Sequence, residues 1–157
     1  MTTRRLFFAL WPDDAERDAL LAATGPLRAA LGGRAVPRGN LHLTLRFLGE
    51  VTAAEERVHR DWADGVRREP VDVRFDRLEW WERPRVFVAV PSRHEICPDI
   101  KSFRAHVTLA REVSPPNGVR GPWPMPPVTW CCNRFVLAES RRGQPYSVVG
   151  EWPLYRR

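Results

Sequence analysis

Asn40-Leu41-His42-Leu43-Thr44-Leu45-Arg46-Phe47-Leu48-Gly49 alternates apolar and polar residues. On a pleated strand, residues two apart share a face. The stretch therefore predicts a strand with Leu41, Leu43 and Leu45 toward a core. His42, Thr44 and Arg46 then stand on the opposite face. Ala105-His106-Val107-Thr108-Leu109-Ala110-Arg111 repeats the arrangement, with His106 beside Thr108 and Val107 and Leu109 behind them. The chain has four histidines and places two of them in these segments. One strand histidine is ordinarily structural, but two in matching contexts point to a paired site.

The rest of the chain supports a duplication. Arg5-Leu6-Phe7-Phe8-Ala9-Leu10 and Arg85-Val86-Phe87-Val88-Ala89-Val90 are each an arginine followed by five apolar residues. Both read as central strands covered on two faces, and each precedes a His-x-Thr segment. Aligned on Arg5 and Arg85, the two copies differ in their connections. His42 follows Arg5 by 37 positions, whereas His106 follows Arg85 by 21. The deficit is about one helix, so the second connection, around 92–102, is expected to have a shortened or missing helix. Trp80 and Trp81 are candidates to cover the sheet face this exposes.

In the first copy, Asp13 and Glu16 form a capping signature. Leu20, Ala23, Leu27 and Leu31 follow at helical spacing, and Gly32-Gly33 closes the helix. Pro26 is expected to kink or split it. Thr52 and Glu55 start a second helix, with Val58, Trp62 and Val66 as its apolar stripe and His59 as a partly buried surface histidine. Strands are expected over Val71–Trp81 and Val128–Leu137. Pro122, Pro124, Pro126 and Pro127 predict a stiff surface loop between Arg111 and the later strand. Tyr146–Val149 and Trp152–Leu154 read as a closing hairpin.

The chain has 157 residues and a net charge of +6. That suits a single domain with its own core. The positive balance, carried mostly by arginine, favours a polyanionic partner. Cys97, Cys131 and Cys132 are odd in number and form no disulfide framework. No secretory leader or membrane-length apolar run is evident, so a cytoplasmic protein is expected; no obligate protein partner is evident, and a monomer is expected.

The two His-x-Thr segments resemble the motifs of the 2H phosphoesterases, and in particular the RNA 2',3'-cyclic phosphodiesterase branch, also called 2'-5' RNA ligase or LigT-like. Asn40–Val51 is similar to the first motif and Phe103–Arg111 to the second. Leu137-Ala138-Glu139-Ser140 and the downstream Tyr146 resemble the family's ending. The resemblance implies an α+β fold of two pseudo-symmetric lobes of antiparallel sheet, with helices on the outer faces, spanning residues 1–157. It also implies hydrolysis of a 2',3'-cyclic phosphate at an RNA end, or in a cyclic nucleotide, to a 2'-phosphate. Reversible ligation is the same chemistry run backward. His42 would be the general acid and His106 the base.

The residue types fit that chemistry. Two imidazoles titrating near neutral pH supply an acid and a base at once. The Thr44 and Thr108 hydroxyls can donate to phosphate oxygens. The set calls for no cofactor and no metal. Arg46, at the cleft mouth, and Arg111 are candidate phosphate ligands. Phe8, with Phe7 and the tryptophans, is a candidate to stack on a base. Two rival readings have less support. His94 with Cys97, Cys131 and Cys132 could hold zinc, but adjacent strand cysteines point to opposite faces. A non-catalytic RNA-end-binding module would leave the duplicated His-Thr pairs without a role; a second lobe disturbed enough to misplace His106 is what would favour it.

Overall fold

The computed structural model describes residues 2–96 and 103–155. It is α+β, with two antiparallel sheets. In the four-stranded sheet, β1 (Thr3–Leu10) lies between β3 (Leu43–Thr52) and β8 (Arg134–Glu139), and β9 (Ser147–Pro153) flanks β8. The five-stranded sheet runs β2 (Arg34–Ala35), β6 (Val107–Arg111), β5 (Val86–Val90), β4 (Val71–Trp81), β7 (Trp123–Cys132). Apolar sequence on both faces of β1 and β5 agrees with their burial at the centre of each sheet.

One face of each sheet joins a shared core containing Leu6, Phe8, Phe75, Phe87 and Trp130. The opposite faces carry smaller clusters: Phe7, Ala9, Val136 and Ala138 in the first sheet, and Val86, Val88 and Val90 in the second. The pairing register defines how the copies correspond. Ala9 pairs with Thr44, and Val88 pairs with Thr108. Ala9 therefore matches Val88 and Phe8 matches Phe87. Alignment of Arg5 on Arg85 is out by one residue, because Arg85 lies before β5 with φ 66°.

A bulge follows each motif threonine. On β3 the pairing steps from Thr44, opposite Ala9, to Arg46, opposite Phe8, so Leu45 is extra. On β6 it steps from Thr108, opposite Val88, to Ala110, opposite Phe87, so Leu109 is extra. One extra residue reverses which side chains face which way beyond it.

α1 (Asp14–Leu31) has the predicted capping box. Glu16 N donates to Asp13 Oδ1 at 2.7 Å, and Asp13 N donates to Glu16 Oε1 at 3.0 Å. The helix neither splits nor ends at Pro26. A proline disturbs the carbonyls one turn earlier, and here side chains engage that turn. Arg28 Nη2 donates to the Leu21 carbonyl at 3.1 Å, and Thr24 Oγ1 donates to the Leu20 carbonyl at 2.8 Å. α1 packs against β7 of the second sheet, where Cys131 N donates to Glu16 Oε2 at 2.6 Å. The helix of the first copy thus covers the sheet of the second.

α2 (Ala53–Asp64) starts at Thr52, whose hydroxyl accepts from Glu55 N. Its inward face differs from the predicted stripe: Ala63 is buried, whereas Val58 and Trp62 remain 67% and 53% exposed. The inward positions around Ala63 are Glu56 and Arg60, tied to Arg4 and the Val149 carbonyl. Ion pairs there replace the apolar contacts expected from periodicity alone.

The proline segment is part of β7 instead of a loop. β7 is an edge strand, and Pro124, Pro126 and Pro127 are exposed on it. An edge strand tolerates missing N–H donors and is shielded by them from further pairing. Between Val90 and Val107, none of the described residues is helical; residues 97–102 lie outside them. Trp80 packs on the shared core and its Nε1 donates to the Val113 carbonyl at 3.1 Å. Trp81 faces the other way, beside His106.

Gly33 tests how β2 reaches the second sheet. Its φ is +82°, and a Cβ there would lie 2.7 Å from the Arg111 carbonyl oxygen and 2.8 Å from Val113 Cγ2. Gly33→Ala is expected to lose roughly 2–4 kcal/mol of stability in urea unfolding, from backbone strain plus the clash. Gly143→Ala, also at positive φ but with nothing within 4 Å, should lose less. Equal losses would mean that close approach to β6 is not what requires glycine at 33.

Candidate functional site

His42 stands one residue before β3, and His106 one residue before β6. Both rings and both motif threonines line one cleft between the sheets, a cavity of about 780 Å³. His42 Nδ1 is 2.6 Å from the Asn40 carbonyl and His106 Nδ1 is 2.7 Å from the Arg104 carbonyl. A carbonyl only accepts, so each Nδ1 carries a proton and each Nε2 is the working nitrogen. The Thr44 hydroxyl donates to His42 Nε2 at 2.8 Å. Both rings are therefore held in the same tautomer by the backbone two residues upstream.

The walls around the two rings differ. His42 is flanked by Phe7 at 4.8 Å, Trp11 at 5.7 Å and Tyr146 at 5.3 Å between ring centroids. Asn40 links this group to the loop after β8, since Tyr146 N donates to Asn40 Oδ1 at 3.1 Å. His106 packs on Trp81 at 4.6 Å. Arg104 lies over the same indole at 4.1 Å, and Glu79 accepts from both Trp81 Nε1 and Arg104 Nη2.

Burial is the main force on both imidazoles. It lowers His42 to about 4, against the Asn40 carbonyl, which favours the charged ring; the Arg111, His106 and Arg17 charges push further down. His106 is also lowered, first by burial and then by Arg104 and Arg111. In the free protein at neutral pH both rings are thus uncharged, with arginine close by.

The remaining expected site residues divide. Arg111 lines the cleft. Arg46 does not: it is exposed on the other side of β3. Strict alternation from His42 and Thr44 would have placed it inward, but the Leu45 bulge turns it away and brings Phe47 into the cleft. Phe8 is 2% exposed in the shared core, packed on Trp62, Phe135 and Trp152, and cannot reach a ligand. Phe7 occupies the cleft face instead. Sequence reasoning missed Arg5, Arg34, Asn40 and Phe47, which also line the cavity. Only the bulge, invisible to period counting, would have revealed Phe47.

His59 is partly buried near Phe8, as expected. Cys131 is exposed and Cys132 buried, on opposite faces of β7. Burial raises the Cys132 thiol to about 12, which makes it an inert core residue. Cys97 lies outside the described residues. Among the described residues, no three His, Cys, Asp or Glu side chains are grouped to hold a metal. No described helix is long and apolar enough to cross a membrane.

A family model described as LigT like phosphoesterase matches residues 10–88, about half of the chain and including the first motif. The chain belongs to the LigT-like phosphoesterase family. It is 26% identical, over 174 aligned positions, to an RNA 2',3'-cyclic phosphodiesterase of Escherichia coli strain K12, covering 96% of this chain and 97% of that protein. The crystal structure of apo E. coli LigT superposes with a TM-score of 0.80 at 26% identity, covering 99% of this chain and all of that one. E. coli LigT complexed with 3'-AMP gives 0.79 at 25% identity, with 98% and 99% covered. A solved Thermus thermophilus protein gives 0.75 at 25% identity, with 96% and 97% covered. The family match ends before the second motif. In this LigT-like chain, Thr108 therefore rests on the register, which pairs it with Val88 as Thr44 pairs with Ala9, and His106 on an Nδ1–carbonyl bond like that of His42.

The neutral, buried His42 makes stability depend on pH. A folded-state value near 4 against about 6.5 unfolded favours the uncharged ring. This contribution is complete above pH 6.5 and is lost as pH falls toward 4. Wild type is expected to lose up to roughly 3 kcal/mol more than His42→Gln between pH 7.5 and 4, read by urea unfolding. Parallel losses in the two proteins would show that His42 is not held neutral.

Proposed function

We propose that the chain is a cyclic phosphodiesterase that opens an RNA 2',3'-cyclic phosphate to a 2'-phosphate. The observation that carries this reading is the pair of imidazoles, each fixed by an Nδ1–carbonyl bond, in one cleft with both motif threonines and Arg111. The E. coli relative's name supports the same substrate class.

In this reading the phosphate sits between the rings. His106 Nε2 takes a proton from water as the water oxygen bonds to phosphorus. The bond from phosphorus to O3' breaks, and His42 Nε2–H gives its proton to that oxygen. The product has a 2'-phosphate and a free 3'-hydroxyl. Thr44, Thr108 and Arg111 hold the non-bridging oxygens, where negative charge builds up. The scheme needs His42 protonated, which burial opposes in the free site; the negative charge of the bound substrate would favour the protonated ring. With a 5'-hydroxyl in place of water, the same step would give a 2'-5' linkage: the 5' oxygen bonds to phosphorus as the bond to O3' breaks, and His42 protonates O3'. Attack of that 3'-hydroxyl back on the linkage, with the two rings exchanging roles, is the reverse. We place the activity in a monomer acting in the cytoplasm.

A binding-only module has less support. It needs a second lobe too altered to place His106, yet Thr108 pairs with Val88 as Thr44 does with Ala9.

Hydrolysis of adenosine 2',3'-cyclic phosphate in EDTA, with the product resolved as 2'- or 3'-phosphate, tests the proposal. His42→Ala and His106→Ala should each lower kcat by about 10²-fold or more. Binding without turnover by wild type, or near-normal rates in both variants, would sink it. The two arginines separate cleanly. Arg111→Ala should lower kcat/KM by roughly 10- to 100-fold, the loss of a charge-assisted phosphate contact. Arg46→Ala, outside the cleft, should change it by less than about twofold. The reverse ranking would place the phosphate on the wrong side of β3.

A further inference from the structure

Each motif imidazole lies against an indole, and a guanidinium lies over each indole. Trp11 stacks on His42, with the Arg17 guanidinium 5.5 Å from its ring centroid. Trp81 meets His106, with the Arg104 guanidinium 4.1 Å from its centroid. His42 has further support: Phe7 and Tyr146 pack on it, and Thr44 bonds to its Nε2. Among the described residues, His106 has one side-chain hydrogen bond, through Nδ1, and one aromatic neighbour. Its orientation therefore falls more heavily on Trp81.

Trp81 is itself held. It ends β4, opposite Val86 of β5, and packs on Val86, Val88 and Val90. Glu79 stands two residues earlier on the same face. Its Oε1 accepts from Trp81 Nε1 at 2.8 Å and from Arg104 Nη2 at 3.2 Å, while its Oε2 pairs with Arg77. Arg104 completes the circuit, since its guanidinium covers Trp81 and its carbonyl holds His106 Nδ1. The four residues thus close a ring of contacts between β4 and the segment that enters β6. It spans Val88, which pairs with Glu79 on one side and Thr108 on the other. Trp81 and His106 line the cleft; Glu79 and Arg104 do not.

We propose that Glu79 and the Arg104 guanidinium are positioning residues that act through Trp81 to fix the plane in which His106 presents Nε2 to the cleft. One bond at Nδ1 leaves an imidazole free to swing about that bond. A flat ring fixed behind it removes the freedom. The bonds that fix Trp81 from the far side include a carboxylate and a guanidinium, which makes them stronger than neutral ones. The inference rests on the cyclic phosphodiesterase reading for its effect on rate. Its effect on the ring stands apart from that reading.

Turnover of adenosine 2',3'-cyclic phosphate by Glu79→Ala and Glu79→Gln, each in wild-type and His106→Ala backgrounds, tests the proposal, with urea unfolding to check that each variant is folded. Glu79→Ala should lower kcat roughly 10- to 100-fold, the scale of a misplaced catalytic group, and leave KM within about twofold. Glu79→Gln, whose amide oxygen can still accept from Trp81 Nε1, should lose less. In the His106→Ala background Glu79→Ala should change nothing more, because residues that act as a unit are not additive. If Glu79→Ala does not fold, Arg104→Ala serves instead: it removes a 63% exposed side chain, keeps the carbonyl, and should lower kcat in the same way. An unchanged kcat, a rise in KM alone, or equal losses with and without His106 would overturn the proposal. Imidazole 15N shifts read the ring without turnover. His106 should be a single Nδ1–H tautomer in wild type and a mixture in Glu79→Ala, with His42 unchanged. If wild type cleaves no cyclic phosphate, that result keeps the clamp while the catalytic reading falls. An unchanged His106 removes the clamp.

Discussion

Each lobe depends on one inserted residue. Leu45 on β3 and Leu109 on β6 are extra positions that follow directly on a motif threonine; β3 has a second, Leu48, farther along. Without a bulge, the face that carries His42 and Thr44 would go on through Arg46 and Leu48. With it, the ladder is broken and turned just past the site. Bulges concentrate at sheet edges and next to active sites because they re-aim a side chain without ending the strand. Here the same device occurs in both copies, so the two lobes build matching walls from different residues.

The site is arranged around charge that arrives with the ligand. Phe7, Trp11 and Tyr146 surround His42, and Trp81 backs His106. Burial disfavours imidazolium in both rings, and Arg111 bears on both. Such a cleft is basic through its arginines and uncharged at its histidines. A phosphate between the rings reverses the balance, since its negative charge favours a proton on Nε2. The backbone carbonyls of Asn40 and Arg104 hold the rings in one orientation, so the proton transfer of the proposed reaction would need no rearrangement.

The motifs, the duplication, the capping box and the central strands are all legible in the sequence, because each rests on local spacing. What escapes it depends on contacts between distant segments. Phe8 and Phe7 are equally apolar neighbours, and only the lie of the sheet decides which one meets His42. A period of two puts Arg46 in the cleft, and a bulge that no period contains takes it out. α1 reads properly as amphipathic, yet the sheet it covers belongs to the other copy. Pro26 lies inside α1 without ending it, while Arg28 and Thr24 bond to the Leu21 and Leu20 carbonyls about one turn earlier. The prolines of β7 look like a loop because the sequence does not mark a strand as an edge.

The duplicated halves also show how a symmetric frame acquires direction. Two identical lobes would bind a phosphodiester either way round and could not assign acid and base. The chain departs from symmetry just beyond the chemistry, at Phe47 and Arg111, while the imidazoles, hydroxyls and carbonyl anchors stay paired. The second departure is the wall behind each ring: an aromatic box around His42, and an indole held by Glu79 and Arg104 behind His106. His106 thus has a guanidinium near its supporting ring, whereas His42 has the hydroxyl of Thr44 on its working nitrogen. Under the proposed reaction, local polarity of this kind would set which ring holds the proton first.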